Sequence, residues 1–167
     1  RVKRVAAVGG RLCELAAGSV SDCAVELGVN APLVVVADAD MDAAVEGAMV
    51  AKMRTGGESC IAANRFIVEE SVAEVFAHRL ATEMSALKMG PGLDRSTQLG
   101  PMINARAVDD IASMVDASIP AGSAVLTGGQ RPAGAGACYP PPGLSGRSSA
   151  RPVLELDVFG PGGPRGF

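Results

Sequence analysis

Leu33-Val34-Val35-Val36-Ala37 is the stretch of sequence that decides the fold class. Five consecutive apolar residues, three of them β-branched, are typical of a strand that is buried on both faces of a parallel sheet. The residues just before it, 28–32, include a glycine and a proline and predict a loop. Residues 20–27 are interpreted as a further short strand.

Downstream of this run, helix and strand patterns alternate. Asp40 can cap a helix in which apolar residues recur at helical spacing until two glycines end it at residues 56–57. Residues 66–68 predict a second buried strand, residues 105–118 a further helix and residues 124–126 another strand. This alternation predicts an α/β fold with a largely parallel sheet flanked by helices.

The helix that follows residues 66–68 is expected to begin at Ser71 and to end before the glycines and proline of residues 90–92. Its apolar residues share one predicted buried face, which carries Val72, Val75, Phe76, Leu80 and Leu87. Beyond about residue 128, Gly, Pro, Ser and Arg dominate and the periodic pattern fades. That tail predicts long loops or poorly ordered chain.

Length and composition favour one domain with an aliphatic core. A chain of 167 residues can bury most of the surface that it exposes when unfolded. Its aromatic side chains are few, with Phe 4, Tyr 1 and Trp 0, so the core must be mainly aliphatic. The net charge of −3 is made of interleaved charges, so neither nucleic acid nor an anionic membrane is an expected partner. No apolar run approaches the roughly 18 residues of a membrane span. A small molecule or a protein is the expected partner.

The N-terminus does not predict a signal peptide, because Arg11 and Glu14 interrupt its apolar stretch. The chain starts with Arg1 rather than Met, so we expect that sequence upstream has been lost.

The cysteines do not predict a metal site. Cys13, Cys23, Cys60 and Cys138 are widely spaced, no CxxC pair is present, and His78 is the single histidine of the chain. His78 itself is expected on a solvated helix face. A reduced, cytoplasmic setting is the simplest interpretation.

Cys60 is the strongest candidate for chemistry. It follows Gly56-Gly57-Glu58-Ser59, where small residues leave a thiol reachable as a nucleophile. The alternative is an inert buried thiol, the commoner role of a free cysteine. Glu26 is the candidate base, because it is expected to end a buried strand just before a glycine-containing loop. Its alternative role is a solvated strand-end carboxylate.

Two motifs resemble those of the aldehyde dehydrogenase superfamily. Residues 26–32, Glu-Leu-Gly-Val-Asn-Ala-Pro, resemble its glutamate motif E-L-G-G-x-x-P, and residues 57–60, Gly-Glu-Ser-Cys, resemble its cysteine motif G-Q/E-x-C. The glutamate and cysteine are 34 positions apart, as in the family. Residues 38–44 are similar to its D-A-D-x-D-x-A stretch, residues 99–103 to its G-P-x-I segment and residues 158–161 to the end of E-x-F-G-P.

Within that family the sequence is most similar to succinate-semialdehyde dehydrogenases over residues 48–66. Arg54, six residues before Cys60, stands where those enzymes place an arginine for the distal carboxylate of the substrate. A guanidinium can hold a carboxylate through two charge-assisted hydrogen bonds. The alternative is an arginine placed at a helix C-terminus by the macrodipole.

The resemblance implies a mechanism and a cofactor. Cys60 would attack the aldehyde, hydride would pass to the nicotinamide of NAD or NADP, and Glu26 would activate water to release the acid. Cofactor contacts are implied for Leu27, Gly28, Asp157 and Phe159. Three positions depart from the family pattern: Val29 for glycine, Thr55 for asparagine and Asp157 for glutamate.

The resemblance also implies a truncated catalytic domain. Residues 1–26 would be the end of the cofactor-binding domain, residues 27–137 the cysteine domain and residues 138–167 an irregular segment, while most of the cofactor half has no match. The implied function is oxidation of an aldehyde, with succinate semialdehyde the best candidate. The first alternative is a non-catalytic remnant that forms a homo-oligomer or associates with a full-length subunit. The second is a cofactor-independent esterase activity at Cys60.

Overall fold

The computed structural model describes residues 4–28, 30–132, 136–146, 160–161 and 163–166. The helices are α1 (Arg4–Ala17), α2 (Met41–Met53), α3 (Glu70–Ala86) and α4 (Ala105–Ser118), and a short 3-10 turn covers Arg54–Gly57. The strands are β1 (Ala31–Val35), β2 (Ala63–Val68), β3 (Ala124–Thr127), β4 (Gly143–Ser145) and β5 (Gly163–Gly166). The predicted alternation of helices and strands is confirmed for residues 31–127.

The five strands form one sheet in the order β1-β2-β5-β4-β3. Three of the four neighbouring pairs are parallel, and only β3 and β4 run antiparallel. The predicted α/β class with a largely parallel sheet is therefore confirmed. The prediction of an irregular tail is wrong at β4 and β5. Their glycines and proline give no strand pattern in the sequence, and both strands form by pairing with neighbouring strands of the sheet. The predicted domain boundaries at residues 26 and 137 stay predictions.

The strand predicted over residues 20–27 is wrong. Helix α1 ends in a turn in which the N–H groups of Ser19 and Ser21 both donate to the carbonyl of Ala16, at 3.0 and 3.2 Å. Residues 21–28 then run without helix or strand structure. A strand needs a neighbouring strand to pair with, and on this side the described sheet already ends at β1.

Strand β1 is confirmed, but it is not buried on both faces. Val35 is buried, whereas Val34 and Val36 on the opposite face are 63% and 49% exposed. The reason is position: β1 is the outermost strand, and within the described residues this face carries no covering helix.

Helix α2 begins where it was predicted. The Asp40 carboxylate accepts hydrogen bonds from the N–H groups of Asp42 and Ala43 at 3.0 and 3.1 Å, so it satisfies two of the free donors of the first turn.

Helix α3 starts one residue before Ser71, so the predicted cap is wrong; Glu69 precedes the helix instead. The Glu69 side chain is engaged elsewhere, because its Oε2 accepts from the Ala37 N–H at 2.7 Å and so ties α3 to the end of β1.

The buried face of α3 differs from the prediction at two positions. Val75 is exposed, and Leu87 lies just beyond the helix. The residues that α3 buries are Ala73, Phe76, Ala77, Leu80, Ala81 and Met84. This face packs on the sheet and on α2, forming a core of aliphatic side chains around Phe66 and Phe76, whose rings lie 5.9 Å apart.

A second, smaller core lies under α4. Its buried residues are Met102, Val108, Ile111, Val115, Tyr139 and Leu144. The aliphatic core that the composition predicts is confirmed, with three rings built into it. Among the described residues, no helix combines the length and the apolar character that crossing a membrane requires.

Candidate active site

The loop from Arg54 to Ala62 joins α2 to β2 and carries two of the predicted site residues. It begins at Arg54, which is exposed and whose N–H donates to the carbonyl of Val50 to end the helix. Thr55, Gly56 and Gly57 follow with φ of 55°, 65° and 74°. Three successive left-handed residues reverse the chain sharply, and the two glycines adopt this conformation without the steric cost that Thr55 bears.

Gly57 is needed for close contact as well as for its φ. A Cβ at this position would lie 2.2 Å from the carbonyl oxygen of Gly160, and the N–H of Gly160 donates to the Gly57 carbonyl at 3.1 Å. The backbone of residues 160–161 is thereby fixed against the loop. Gly160 of the F-G-P-like segment and Gly57 of the cysteine motif, about a hundred residues apart in sequence, meet at this point.

Cys60 stands at the tip of a tight turn. The Ser59 carbonyl accepts from the N–H of Ala62 at 3.1 Å, and the Ser59 hydroxyl accepts from the N–H of Ile61 at 3.4 Å. Ala62 is buried and anchors the turn, while Cys60 is exposed. Cys60 is therefore an accessible thiol and not a buried one.

Glu26 does not end a buried strand, contrary to the prediction: it is exposed, in the irregular segment that leads to β1. The sheet nevertheless brings its segment toward the cysteine loop. β1 and β2 are parallel neighbours with Ala31 opposite Ala63, so the chains entering both strands lie at the same edge of the sheet. Arg65 of β2 also ties down the chain entering β1, because its Nε donates to the carbonyl of Asn30 at 3.1 Å.

Of the predicted cofactor contacts, two fall within the described residues. Leu27 is partly exposed and its side chain lies against Gly9 of α1, where a Cβ would be 3.0 Å away. Gly28 is half-buried at the start of the loop into β1. Asp157, Phe159 and Val29 lie outside the described residues.

Lys52 was missed by the sequence analysis. It is fully buried at the end of α2, and its Nζ donates to Oδ1 of Asn64, itself 2% exposed, at 2.6 Å. This hydrogen bond closes the base of the loop that carries Arg54 and Cys60. Burial lowers the pKa of Lys52 to about 7. The signal was in the spacing, since residues 45, 48 and 52 share the buried stripe of α2.

His78 and possible metal ligands were the remaining candidates for chemistry. The His78 side chain is 69% exposed on α3, 3.8 Å from the Glu74 carboxylate, as predicted for a solvated face. Across the described residues, no group of three acidic, histidine or cysteine side chains could hold a metal ion.

The sequence matches the pattern of the aldehyde dehydrogenase family over residues 5–162. It is 48% identical over 157 residues to a succinate-semialdehyde dehydrogenase of Paenarthrobacter nicotinovorans, a match covering 94% of this chain and 35% of that protein. It is 36% identical to a glutarate-semialdehyde dehydrogenase of Pseudomonas putida, covering 94% of this chain and 32% of that protein.

The fold is also similar to that of solved structures. The betaine aldehyde dehydrogenase of Staphylococcus aureus, solved in complex with NAD+, superimposes with a TM-score of 0.90 at 28% identity, over 96% of this chain and 33% of that one. The chain thus spans about a third of the length of the relatives it matches.

Proposed function

Because the chain belongs to the aldehyde dehydrogenase family, we propose that it provides the thiol-bearing part of an aldehyde-oxidising site. In this proposal Cys60 is the nucleophile and Glu26 the general base. The thiolate of Cys60 adds to the aldehyde carbon, and after oxidation of the adduct to a thioester the Glu26 carboxylate takes a proton from the attacking water. The products are the free acid and the regenerated thiol.

The observation that carries the proposal is the shared sheet edge. Parallel pairing of Ala31 with Ala63 supports it, because β1 and β2 start side by side, with Glu26 five residues before β1 and Cys60 three residues before β2. Both side chains are exposed there, as a nucleophile and a base acting on an external substrate must be. A base works only within hydrogen-bond reach of its water, so this juxtaposition is the first requirement of the chemistry.

The substrate we propose is a short aldehyde with a distal carboxylate, succinate semialdehyde being the best candidate. Arg54 supports this assignment, because it is exposed on the same loop as Cys60 and its guanidinium carries a permanent positive charge. The two relatives are named as a succinate- and a glutarate-semialdehyde dehydrogenase, and both names describe aldehydes of this kind. If Arg54 were only a helix-terminal charge, its removal would leave substrate choice unaffected.

NAD or NADP is the proposed hydride acceptor, since no side chain can accept a hydride. The described residues fit this group only in part. Leu27 and Gly28, which precede β1, are the described residues for which the family resemblance implies a cofactor contact. Val8-Gly9-Gly10, however, lies inside α1, so these glycines form no turn before a helix N-terminus that could receive phosphates.

Acylation by an activated ester tests Cys60 and Glu26 without any cofactor. We expect p-nitrophenyl acetate to acetylate Cys60 and the chain to release acetate in repeated turnovers. Cys60→Ala should abolish both steps, and Glu26→Gln should leave one acetyl group per chain on Cys60 with no further turnover. Cys138→Ser is the control thiol variant. Equal turnover by Glu26→Gln would refute the assignment of the base.

Substrate choice is tested by absorbance of the reduced cofactor, with succinate semialdehyde and butyraldehyde compared at equal NAD+ or NADP+. Arg54→Leu should raise KM for succinate semialdehyde alone, by about tenfold or more, because one charge-assisted contact is lost. Arg95→Leu, an exposed arginine in the 91–96 turn, is the control. An equal loss for both aldehydes would refute a carboxylate contact.

A second candidate function is association with another subunit. Helix α1 exposes three apolar side chains by 55–61%, those of Val8, Leu12 and Leu15, and the outer face of β1 is exposed too. Several exposed apolar residues on one element are more typical of a protein interface than single scattered ones. Sedimentation of the chain alone and mixed with a full-length homologue tests this function. A purely monomeric chain in both samples would refute it.

A further inference from the structure

The thiols of Cys13 and Cys23 lie next to each other although ten positions separate them in sequence. The N–H groups of Ser19 and Ser21 bond to the Ala16 carbonyl at the end of α1, which turns the chain back on itself. The returning segment then runs antiparallel to α1, as the contact of Leu27 with Gly9 shows independently. Between these two fixed points Cys23 lies opposite Cys13, close enough for the two thiols to interact.

Both side chains are open to small reagents, since Cys13 and Cys23 are exposed. Cys23 is nevertheless partly desolvated by its neighbours, and this raises the pKa of its thiol; the interaction with Cys13 raises it further. Thiolate character decides which sulfur attacks a disulfide, so the raised pKa of Cys23 assigns the attack to Cys13.

We propose that Cys13 and Cys23 are a redox modification site, oxidised by a low-molecular-weight disulfide such as oxidised glutathione to an intramolecular disulfide that staples α1 to the segment carrying Glu26. The Cys13 thiolate attacks one sulfur of the oxidant, forming a mixed disulfide and releasing one thiolate. The Cys23 sulfur then displaces the second thiolate as it loses its proton. Two electrons pass to the oxidant, which becomes two thiols, and two protons leave the protein.

The staple would act on the N-terminal part of the proposed site. Glu26 follows Cys23 by three residues in a segment without helix or strand structure, and the described residues of α1 from Val8 to Ala17 are mostly exposed. A covalent bond between the two would restrict both. The oxidised chain is therefore expected to exchange the amide hydrogens of α1 more slowly than the reduced chain.

The test uses the full chain carrying Cys60→Ser and Cys138→Ser, equilibrated with graded ratios of oxidised and reduced glutathione, quenched in acid and mapped by peptide mass spectrometry. Because neither proposed catalytic residue is needed, failure here leaves the proposed function untouched. We expect the Cys13–Cys23 disulfide to form at a glutathione ratio at least tenfold more reducing in the folded chain than in the same chain in urea. With Cys13→Ser, Cys23 should instead carry glutathione.

The comparison with urea decides whether the fold or mere sequence proximity joins the thiols. The proposal would be overturned if the disulfide formed at the same glutathione ratio in the folded and the unfolded chain. It would also be overturned if Cys13 and Cys23 each carried glutathione and no bond joined them. Hydrogen exchange of α1 that is unchanged by oxidation would overturn the staple. A doubly substituted variant, Cys13→Ser with Cys23→Ser, controls for effects of glutathione elsewhere on the chain.

Discussion

Lys52→Met is expected to flatten the dependence of stability on pH. In the folded chain Lys52 is fully buried, with Asn64 as a hydrogen-bond partner, and its pKa is about 7. In the unfolded chain the same amine regains its ordinary value of about 10.4. Between these values the unfolded chain binds one more proton than the folded chain, so the free energy of unfolding rises as pH rises through this window.

The magnitude follows from the two pKa values. Each pH unit inside the window is worth about 1.4 kcal/mol, and the rounding near the folded pKa leaves a gain of roughly 2–3 kcal/mol between about pH 6 and about pH 9. Methionine fills similar space without a charge, so the variant should lack this gain. The free energy of unfolding of Lys52→Met at any one pH also includes the cost of leaving the Asn64 oxygen without its donor. The change of that free energy with pH is therefore the quantity to compare.

Urea unfolding at a series of pH values, with a reductant present, measures the slope. Lys88→Met is the matched control, because Lys88 is an exposed lysine and should keep the wild-type slope. The four cysteines are the same in all three chains, so any contribution they make to the slope cancels in the comparison. Identical slopes for the wild type and Lys52→Met would refute the buried, easily deprotonated amine.

Three further substitutions test the local structure around the site, each by urea unfolding. Thr55→Asn should stabilise the chain by about 1 kcal/mol, because asparagine tolerates the φ of 55° that costs a β-branched residue; no gain would mean that the left-handed turn is absent. Gly57→Ala should destabilise the chain by about 2 kcal/mol or more, since the added Cβ would meet the Gly160 carbonyl. Gly47 is the control: it is an exposed helical glycine with open space around it, so Gly47→Ala should stabilise the chain slightly. Similar effects at both sites would contradict the close contact at Gly57. Asp40→Ala should cost about 1 kcal/mol through loss of the α2 cap, and an unchanged stability would contradict the two cap hydrogen bonds.

The parts of the fold that the sequence predicts are those whose signals are local. Helix α2 has its cap at Asp40 and its stop at a pair of glycines, and α4 has a strong apolar periodicity, so both were predicted within a residue or two. Strand β5 could not be predicted, because Gly-Pro-Arg-Gly has no strand pattern of its own. It becomes a strand by filling the space between β2 and β4.

The same distinction holds within the candidate site. Arg54 and Cys60 are six positions apart in sequence, and both lie on the loop that joins α2 to β2. The environment of Glu26 was predicted wrongly, because the amino acids 20–27 look like a strand and only the absence of a pairing neighbour in the described sheet makes them irregular. Lys52 was missed because a lysine on an apolar stripe is ordinarily taken for a surface residue at the stripe's edge.

The cysteine loop is held mainly by residues that are distant in sequence. Gly56 lies against the side chain of Leu99, Gly57 against the backbone of Gly160, and the loop's base is closed by a buried amine and a buried amide. Leu99 and Gly160, which belong to two segments that the family resemblance singled out beside the cysteine motif, therefore have a physical task that needs no contact with a substrate. They fix the backbone on which Cys60 is displayed, and a thiol fixed in this way can meet an aldehyde at a defined distance and angle.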